Sequence, residues 1–354
     1  MPVRQPRARS LRPVIGRPGR DQSFEPPIRF STGVGPVDLC LGDFNEDGRT
    51  DIATANGRGN SISVLLGAAV GFGASVDLPA VAAPSAVTAT DFNGDGNDDL
   101  VAANEAAGTL SVWLGHGDGT FGGRIDLPGG GSPKDVAAAD LDGDGKPDLV
   151  TANSASNTIT VHTGDGSGGV AASVDLAAGP DPREVLIADM NGDGKPDLIV
   201  ASQGASKVEI HLNRGGTFAP RGDLATGLDP SALAYDDYNR DGDLDLAVCD
   251  PSADCVAVLE GDGAGGIRRR TDYPVGSRPG KVLCGDLAAT GESILPRRIA
   301  ATTRSRCSQT DASGAAIGTS PLLWRIRSKA LRRPSSRGTY RAVTSTETVR
   351  EIWS

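Results

Sequence analysis

Apolar residues in this chain come in short runs set between polar turns. IATAN (52–56), LVAAN (100–104), LVTAN (149–153), LIVAS (198–202) and LAVCD (246–250) are each followed by a second apolar segment such as SISVLLG (61–67) or NTITVHTG (157–164), and then by a third such as VDL (76–78). Runs this short, rich in β-branched residues and bounded by Gly, Asn and Asp, predict strands. Before residue 290 no segment carries a useful helical period, which argues against a βαβ fold. A proline opens each unit, at Pro36, Pro84, Pro133, Pro182, Pro230 and Pro279, and twelve residues before each stands an apolar residue: Phe24, Phe72, Phe121, Val170, Phe218 and Ile267. The unit therefore reads as a proline turn, a strand, an acidic loop, a fully apolar strand, a third strand, a glycine-rich turn and a fourth strand.

Five acidic loops fix the period. They are DFNEDGRTD (43–51), DFNGDGNDD (91–99), DLDGDGKPD (140–148), DMNGDGKPD (189–197) and DYNRDGDLD (237–245), separated by 48, 49, 49 and 48 residues. Four-stranded units of this length in series predict an all-β chain folded as a β-propeller, each unit a blade that buries its neighbour's face. Five full repeats and part of a sixth are visible. Aromatic residues make up only 4% of the chain, so the packing must rely on Val, Ile, Leu and Ala. Segment 24–35 matches a fourth strand with no first three before it, as expected where the two ends of a chain share a closing blade and leave no free sheet edge.

The loops carry the candidate chemistry. Oxygen-bearing side chains occupy positions 1, 3, 5 and 9: Asp43, Asn45, Asp47 and Asp51; Asp91, Asn93, Asp95 and Asp99; Asp140, Asp142, Asp144 and Asp148; Asp189, Asn191, Asp193 and Asp197; Asp237, Asn239, Asp241 and Asp245. The position 7 carbonyls, of Arg49, Asn97, Lys146, Lys195 and Asp243, add one donor per loop. Ca²⁺ takes about six to eight oxygens, and alternate side chains of a tightly curled loop can surround it. An all-oxygen set disfavours zinc and copper. Glycine at position 6 (Gly48, Gly96, Gly145, Gly194, Gly242) suits the sharp turn. Turn chemistry explains a D/N/G cluster but does not require Asp at positions 5 and 9. The loops depart from an EF-hand, which needs a Glu at position 12 and flanking helices. Position 12 is Thr54, Ala102, Thr151, Ala201 or Val248, and strands follow, which also disfavours dockerin-type loops. Up to five calcium ions are expected, with the ninth residue as the last acidic ligand. A sixth loop from Asp286 has Ala288 and Thr290 at positions 3 and 5 and should bind nothing.

The D-x-[DN]-x-[DN]-G-x-x-D-[LI] loop, the apolar strand after it and GDGTF (117–121) resemble the FG-GAP, or VCBS, repeats of integrin alpha-chain heads and many secreted bacterial proteins. The resemblance covers about residues 24–292. It implies a propeller, usually seven-bladed and here truncated, with calcium in loops on one rim, and an extracellular or cell-surface location.

Charge divides the chain into three. Residues 1–22 hold six Arg and one Asp, and residues 293–354 hold twelve basic and three acidic residues, which leaves 17 of the 35 basic and 41 of the 45 acidic residues between. Residues 23–292 are the expected propeller, with a charge near −24 that bound cations would offset. Residues 1–22 are expected to be disordered. The basic tail 293–354, where repeat and acidic loops vanish inside a motif, is expected to be disordered or out of frame rather than a nucleic-acid arm. No transmembrane segment and no signal-peptide core are present. Of five cysteines, Cys249 and Cys255 flank DPSAD and either pair across a hairpin or stay free; Cys40, Cys284 and Cys307 suggest no partner.

His116, His162 and His211 fall at what read as different places in the repeat and have no common partner, so each is expected to be a solvated loop or strand residue and not a catalytic one. Arg221, Gly222 and Asp223 spell RGD, but Asp223 aligns with Asp77, Asp126, Asp175 and Asp272, so a repeat element explains it. Two functions from different classes remain. One is a non-catalytic, calcium-stabilised module that binds an unknown protein or glycan, with no nucleic acid. The alternative is a propeller-based carbohydrate-active enzyme of lyase or dehydratase type, which should carry long insertions at one mouth of the ring. The near-constant spacing favours the first.

Overall fold

A computed structural model describes residues 29–80, 82–225, 229–284, 299–303, 329–330 and 343–344. The expected disordered residues 1–22, the sixth loop from Asp286 and most of the basic tail lie outside them.

Each repeat folds into one four-stranded antiparallel meander. The first is β1 (Pro36–Gly42), β2 (Asp51–Asn56), β3 (Ser61–Leu65) and β4 (Val76–Pro79). The second is β5 (Pro84–Thr90), β6 (Asp99–Asn104), β7 (Thr109–Trp113) and β8 (Ile125–Pro128), and the third β9 (Pro133–Ala139), β10 (Asp148–Asn153), β11 (Thr158–Gly164) and β12 (Val170–Ala177). The fourth is β13 (Pro182–Ala188), β14 (Asp197–Ser202), β15 (Lys207–Asn213) and β16 (Phe218–Ala225), and the fifth β17 (Ala232–Asp236), β18 (Asp245–Asp250), β19 (Cys255–Gly261) and β20 (Ile267–Pro274). β21 (Pro279–Cys284) then pairs with β22 (Ile299–Thr303), a strand inside the basic tail that the apolar pattern did not announce. Two short strands, β23 (Lys329–Ala330) and β24 (Val343–Thr344), also pair. Among the described residues the one helical element is a 3-10 turn at Gln203–Ala205.

The second strand of every four-stranded sheet is buried along its whole length, because a sheet packs on each of its faces. This is why it reads as a continuous apolar run instead of an alternating one. The cores lie between successive sheets: Phe44, Val64, Leu100 and Trp113 fill the gap between the first two, and Met190, Ile199, Leu246 and Leu259 that between the fourth and fifth. Of the fourth strands, β4, β8 and β12 stay largely exposed, and β20 is exposed along half its length. Ahead of the first sheet, Phe30 crosses Phe72 edge-on at 5.2 Å between ring centres and covers Ile52. The described part of the anticipated orphan strand, residues 29–35, forms no strand.

First strands of successive sheets lie side by side. Each of β1, β5, β9, β13 and β21 carries a bulge just after its proline. The residue that follows the bulge is Asp38, Ala86, Asp135, Glu184 or Lys281. Lys281 Nζ lies 3.0 Å from Glu184 Oε1 and 3.6 Å from Asp38 Oδ1, so the first, fourth and sixth units meet across one axis. The acids also bridge neighbouring sheets: Asp38 accepts the N–H of Val87, Asp135 that of Val185 and Glu184 that of Leu233.

Candidate metal centres

The five loops share one geometry, built from their own backbone. The position 1 carboxylate accepts the N–H of the position 6 glycine, from Gly48 to Asp43 at 2.9 Å and from Gly145 to Asp140 at 2.9 Å, and likewise in the other three. Position 3 accepts from the N–H of position 5, and position 5 from that of position 7. The position 6 glycines have φ between 79° and 96°, as the sharp turn requires. Position 4 is left-handed as well, in Glu46 and Arg240 as in three glycines, a demand that the sequence reading did not identify.

Position 9 has a second task. Asp51, Asp99, Asp148, Asp197 and Asp245 are buried, and both oxygens of each accept backbone N–H groups. In the third loop Asp148 takes Leu141 N at 2.9 Å and Gly164 N at 2.9 Å. The same pair of contacts recurs at Asp51, Asp99, Asp197 and Asp245. The carboxylate thus ties the start of its loop to the end of the third strand, and in the second and fifth loops Oδ2 accepts a second N–H, from Asn93 or Asn239. Burial raises the pKa of these five carboxyls, while the amide donors oppose the rise. The exposed position 5 carboxyls of Asp47, Asp95, Asp144 and Asp241 are held below the ordinary range, chiefly by the position 7 N–H. A glycine receives the position 9 carboxylate in four units: a Cβ on Gly164 would stand 2.1 Å from the carbonyl oxygen of Pro147.

Position 2 was not singled out from sequence, yet Phe44, Phe92, Leu141, Met190 and Tyr238 are buried and anchor the loops in the cores between sheets. Their carbonyls receive the next sheet: Gly119 N reaches Phe44 O at 2.8 Å, Asn213 Nδ2 reaches Leu141 O at 2.7 Å and Gly265 N reaches Met190 O at 3.2 Å. Two observations bear on a cation. Asp140, Asp142 and Asp148 bring one carboxylate oxygen each within 4.8 Å of one another. Asp91 Oδ1 is buried with no hydrogen-bond partner, the state of an oxygen that fits a metal ion. The donor set fits a hard cation such as Ca²⁺.

Other residues have structural places. His162 and His211 are buried and occupy the same repeat position, opposite Leu149 and Leu198, where the other units have Leu65, Trp113 and Leu259; they lie 49 residues apart, one repeat step, so the expectation that they fall at different, solvated places is wrong for this pair. His162 sits 2.9 Å from Ser173 Oγ, and burial pushes its pKa down to about 4. His116 is exposed. Cys249 lies opposite Val256, whereas Cys255 lies opposite Asp250, so the two thiols point to opposite faces and both are free. Burial raises the pKa of both, as it does for Cys40. In the RGD segment, Arg221 Nε donates to Ala264 O at 3.0 Å in the next unit's hairpin, and Asp223 pairs with Glu209 at the register where Asp77 meets Ser63. There Ser63 Oγ donates to Asp77 and accepts from Asn56, a relay repeated at Asn104, Ser111 and Asp126 and at Asn153, Thr160 and Asp175.

Among solved structures, the chain is similar to BBS1N in complex with ARL6DN. One such structure gives a TM-score of 0.53 at 11% identity over 79% of this chain and 78% of that one, and another gives 0.53 at 14% over 91% and 92%. A lectin of Agrocybe aegerita that recognises non-reducing terminal N-acetylglucosamine gives 0.48 at 20% identity, over 74% of this chain and 69% of that one. Comparison with curated proteins finds no match. The family model described as FG-GAP-like repeat matches four times, over residues 43–102, 91–151, 140–200 and 189–248, each match running from one acidic loop through the next. With loops, meanders and spacing in agreement over more than half its length, the chain belongs to the FG-GAP-like repeat family.

Proposed function

We propose that this protein is a calcium-stabilised β-propeller interaction module, extracellular or at the cell surface, whose ions are structural and whose partner is a protein or a glycan. The observation that carries the reading is the position of the loops. Each curls through the same backbone-to-carboxylate hydrogen bonds, three carboxylates of the third loop converge, and the position 2 backbone of the first, third and fourth loops is docked on the following sheet. A cation at that centre would offset the repulsion among the loop carboxylates and stiffen the seam between sheets. The strongly acidic repeat region, with 41 acidic residues against 17 basic, fits a cation-loaded state. The exposed fourth strands and loops leave the partner surface to the propeller's rim and faces, and the BBS1N structures show a protein of this fold holding another protein.

Thermal unfolding with Ca²⁺ and with EDTA tests the reading, together with isothermal titration. Calcium should raise the midpoint and bind at up to five sites, with affinities on the order of micromolar to millimolar. Unchanged midpoints and no binding heat would refute it. Protein and glycan arrays probed in Ca²⁺ then identify the partner class.

A further inference from the structure

The five loops differ in the positive charge built into them. In the first, third and fourth, the base at position 7 turns back on the position 5 carboxylate of its own loop: Arg49 on Asp47 at 2.5 Å, Lys146 on Asp144 at 3.2 Å and Lys195 on Asp193 at 4.0 Å. The second loop has Asn97 there and no base. In the fifth, position 7 is Asp243, which adds an acid, position 4 is Arg240, and a second base reaches the loop from another strand. Arg268, the second residue of β20, places Nη1 2.9 Å from Asp241 Oδ2 and Nη2 2.5 Å from Asp243 Oδ2. The other oxygen of Asp241 accepts the N–H of Asp243. After the apolar residue that opens the fourth-strand segment, the other units have Gly73, Gly122, Ala171 and Ala219, none long enough to reach a loop.

We infer that Arg268 is an intramolecular cation that caps the fifth loop and makes it the weakest of the five calcium sites, an inference that rests on the reading of these loops as calcium sites. The guanidinium spans two carboxylates at once, with the fork geometry that suits arginine. Arg49, Lys146 and Lys195 each hold the position 5 Oδ2 of their own loop alone, whereas Arg268 holds Asp241 Oδ2 and the position 7 carboxylate together, so calcium must displace it from two acids before the loop can close around the ion. The side chains involved are partly exposed, 48% for Arg268 and about 30% for each acid, so the cap is exchangeable. Loading should therefore be graded, the uncapped second loop early and the fifth last.

Tyr238 gives this site a private probe. It is position 2 of the fifth loop, where the other loops have Phe44, Phe92, Leu141 and Met190, and it can sensitise Tb³⁺, a hard ion that occupies calcium sites. The experiment titrates the full chain with Tb³⁺ under tyrosine excitation, taking as the fifth-loop signal the component lost in Tyr238→Phe. Arg268→Ala should lower the midpoint of that component about threefold to tenfold, as expected for removal of two exposed charge pairs. Arg269→Ala is the control. Its guanidinium pairs with Glu260 at 3.3 Å, so it removes the same charge from the same strand without touching the loop, and it should leave the midpoint nearly unchanged. A Tyr238-dependent signal that appears only in Arg268→Ala would support the cap still more strongly. Equal shifts in both variants, no shift in either, or no fifth-loop signal in any variant while other loops bind would overturn it and leave the calcium reading intact. No binding of Tb³⁺ or Ca²⁺ at any loop would overturn both.

Discussion

Removing Lys281 should destabilise the propeller, and by more at high pH than at low. Its ammonium stands 3.0 Å from Glu184 and 3.6 Å from Asp38, while Asp135 faces the same axis. Stripping one partner from a fully buried ion pair costs about 3–5 kcal/mol. With 35% of the Lys281 side chain exposed, screening lowers the expectation for Lys281→Met to about 2 kcal/mol at pH 8. The pH dependence comes from the acids left behind. Burial, then Glu184 and Asp38, push the Asp135 carboxyl up to about 7, and Lys281 opposes that rise. A folded pKa above the unfolded one gives stability that is fully present below the unfolded value and is lost as pH rises through the folded value. Wild-type stability should therefore fall between about pH 4 and pH 7 on account of this group. Without Lys281 the folded pKa climbs further, so the loss deepens. The assay is urea unfolding of wild type, Lys281→Met and Lys281→Arg in EDTA at pH 5 and pH 8. An equal penalty at both pH values, or a methionine variant as stable as wild type at pH 8, would refute the account, and arginine should restore most of the difference.

Positions 5 and 9 of one loop should separate metal binding from folding. Asp144→Ala should remove one site from the calorimetric count while leaving the calcium-free midpoint nearly unchanged; a full site count would mean that the third loop binds no metal. Asp148→Ala, which strands the N–H groups of Leu141 and Gly164, should cost about 3 kcal/mol even in EDTA, and a calcium-free stability equal to wild type would contradict the staple. Trp113→Ala empties the core between the first two sheets and should cost about 3–5 kcal/mol in urea titrations at any calcium level.

Sequence alone determined whatever depends on local rules. Short, mostly apolar runs fixed the second strands because only a strand covered on both faces tolerates them, and the 48- or 49-residue step fixed the repeat because identical units must stack identically. The glycine at position 6 and the four oxygen positions were equally legible, since the loop's curl is set within nine residues. Tertiary structure decided what depends on residues far apart. That Asp148 ties down Gly164 is invisible until the hairpin folds, whereas the equivalence of His162 and His211 stood in their 49-residue spacing and strand pairing opposite Leu149 and Leu198 bears it out. Period-two alternation separates Cys249 from Cys255, which closeness in sequence had allowed to pair. The cap of Arg268 on Asp241 and Asp243, and the meeting of Lys281 with Asp38 and Glu184, join charges that the chain carries 25 to 243 residues apart. Long charged side chains obey no local periodicity, so only the packing of sheet on sheet assigns their partners.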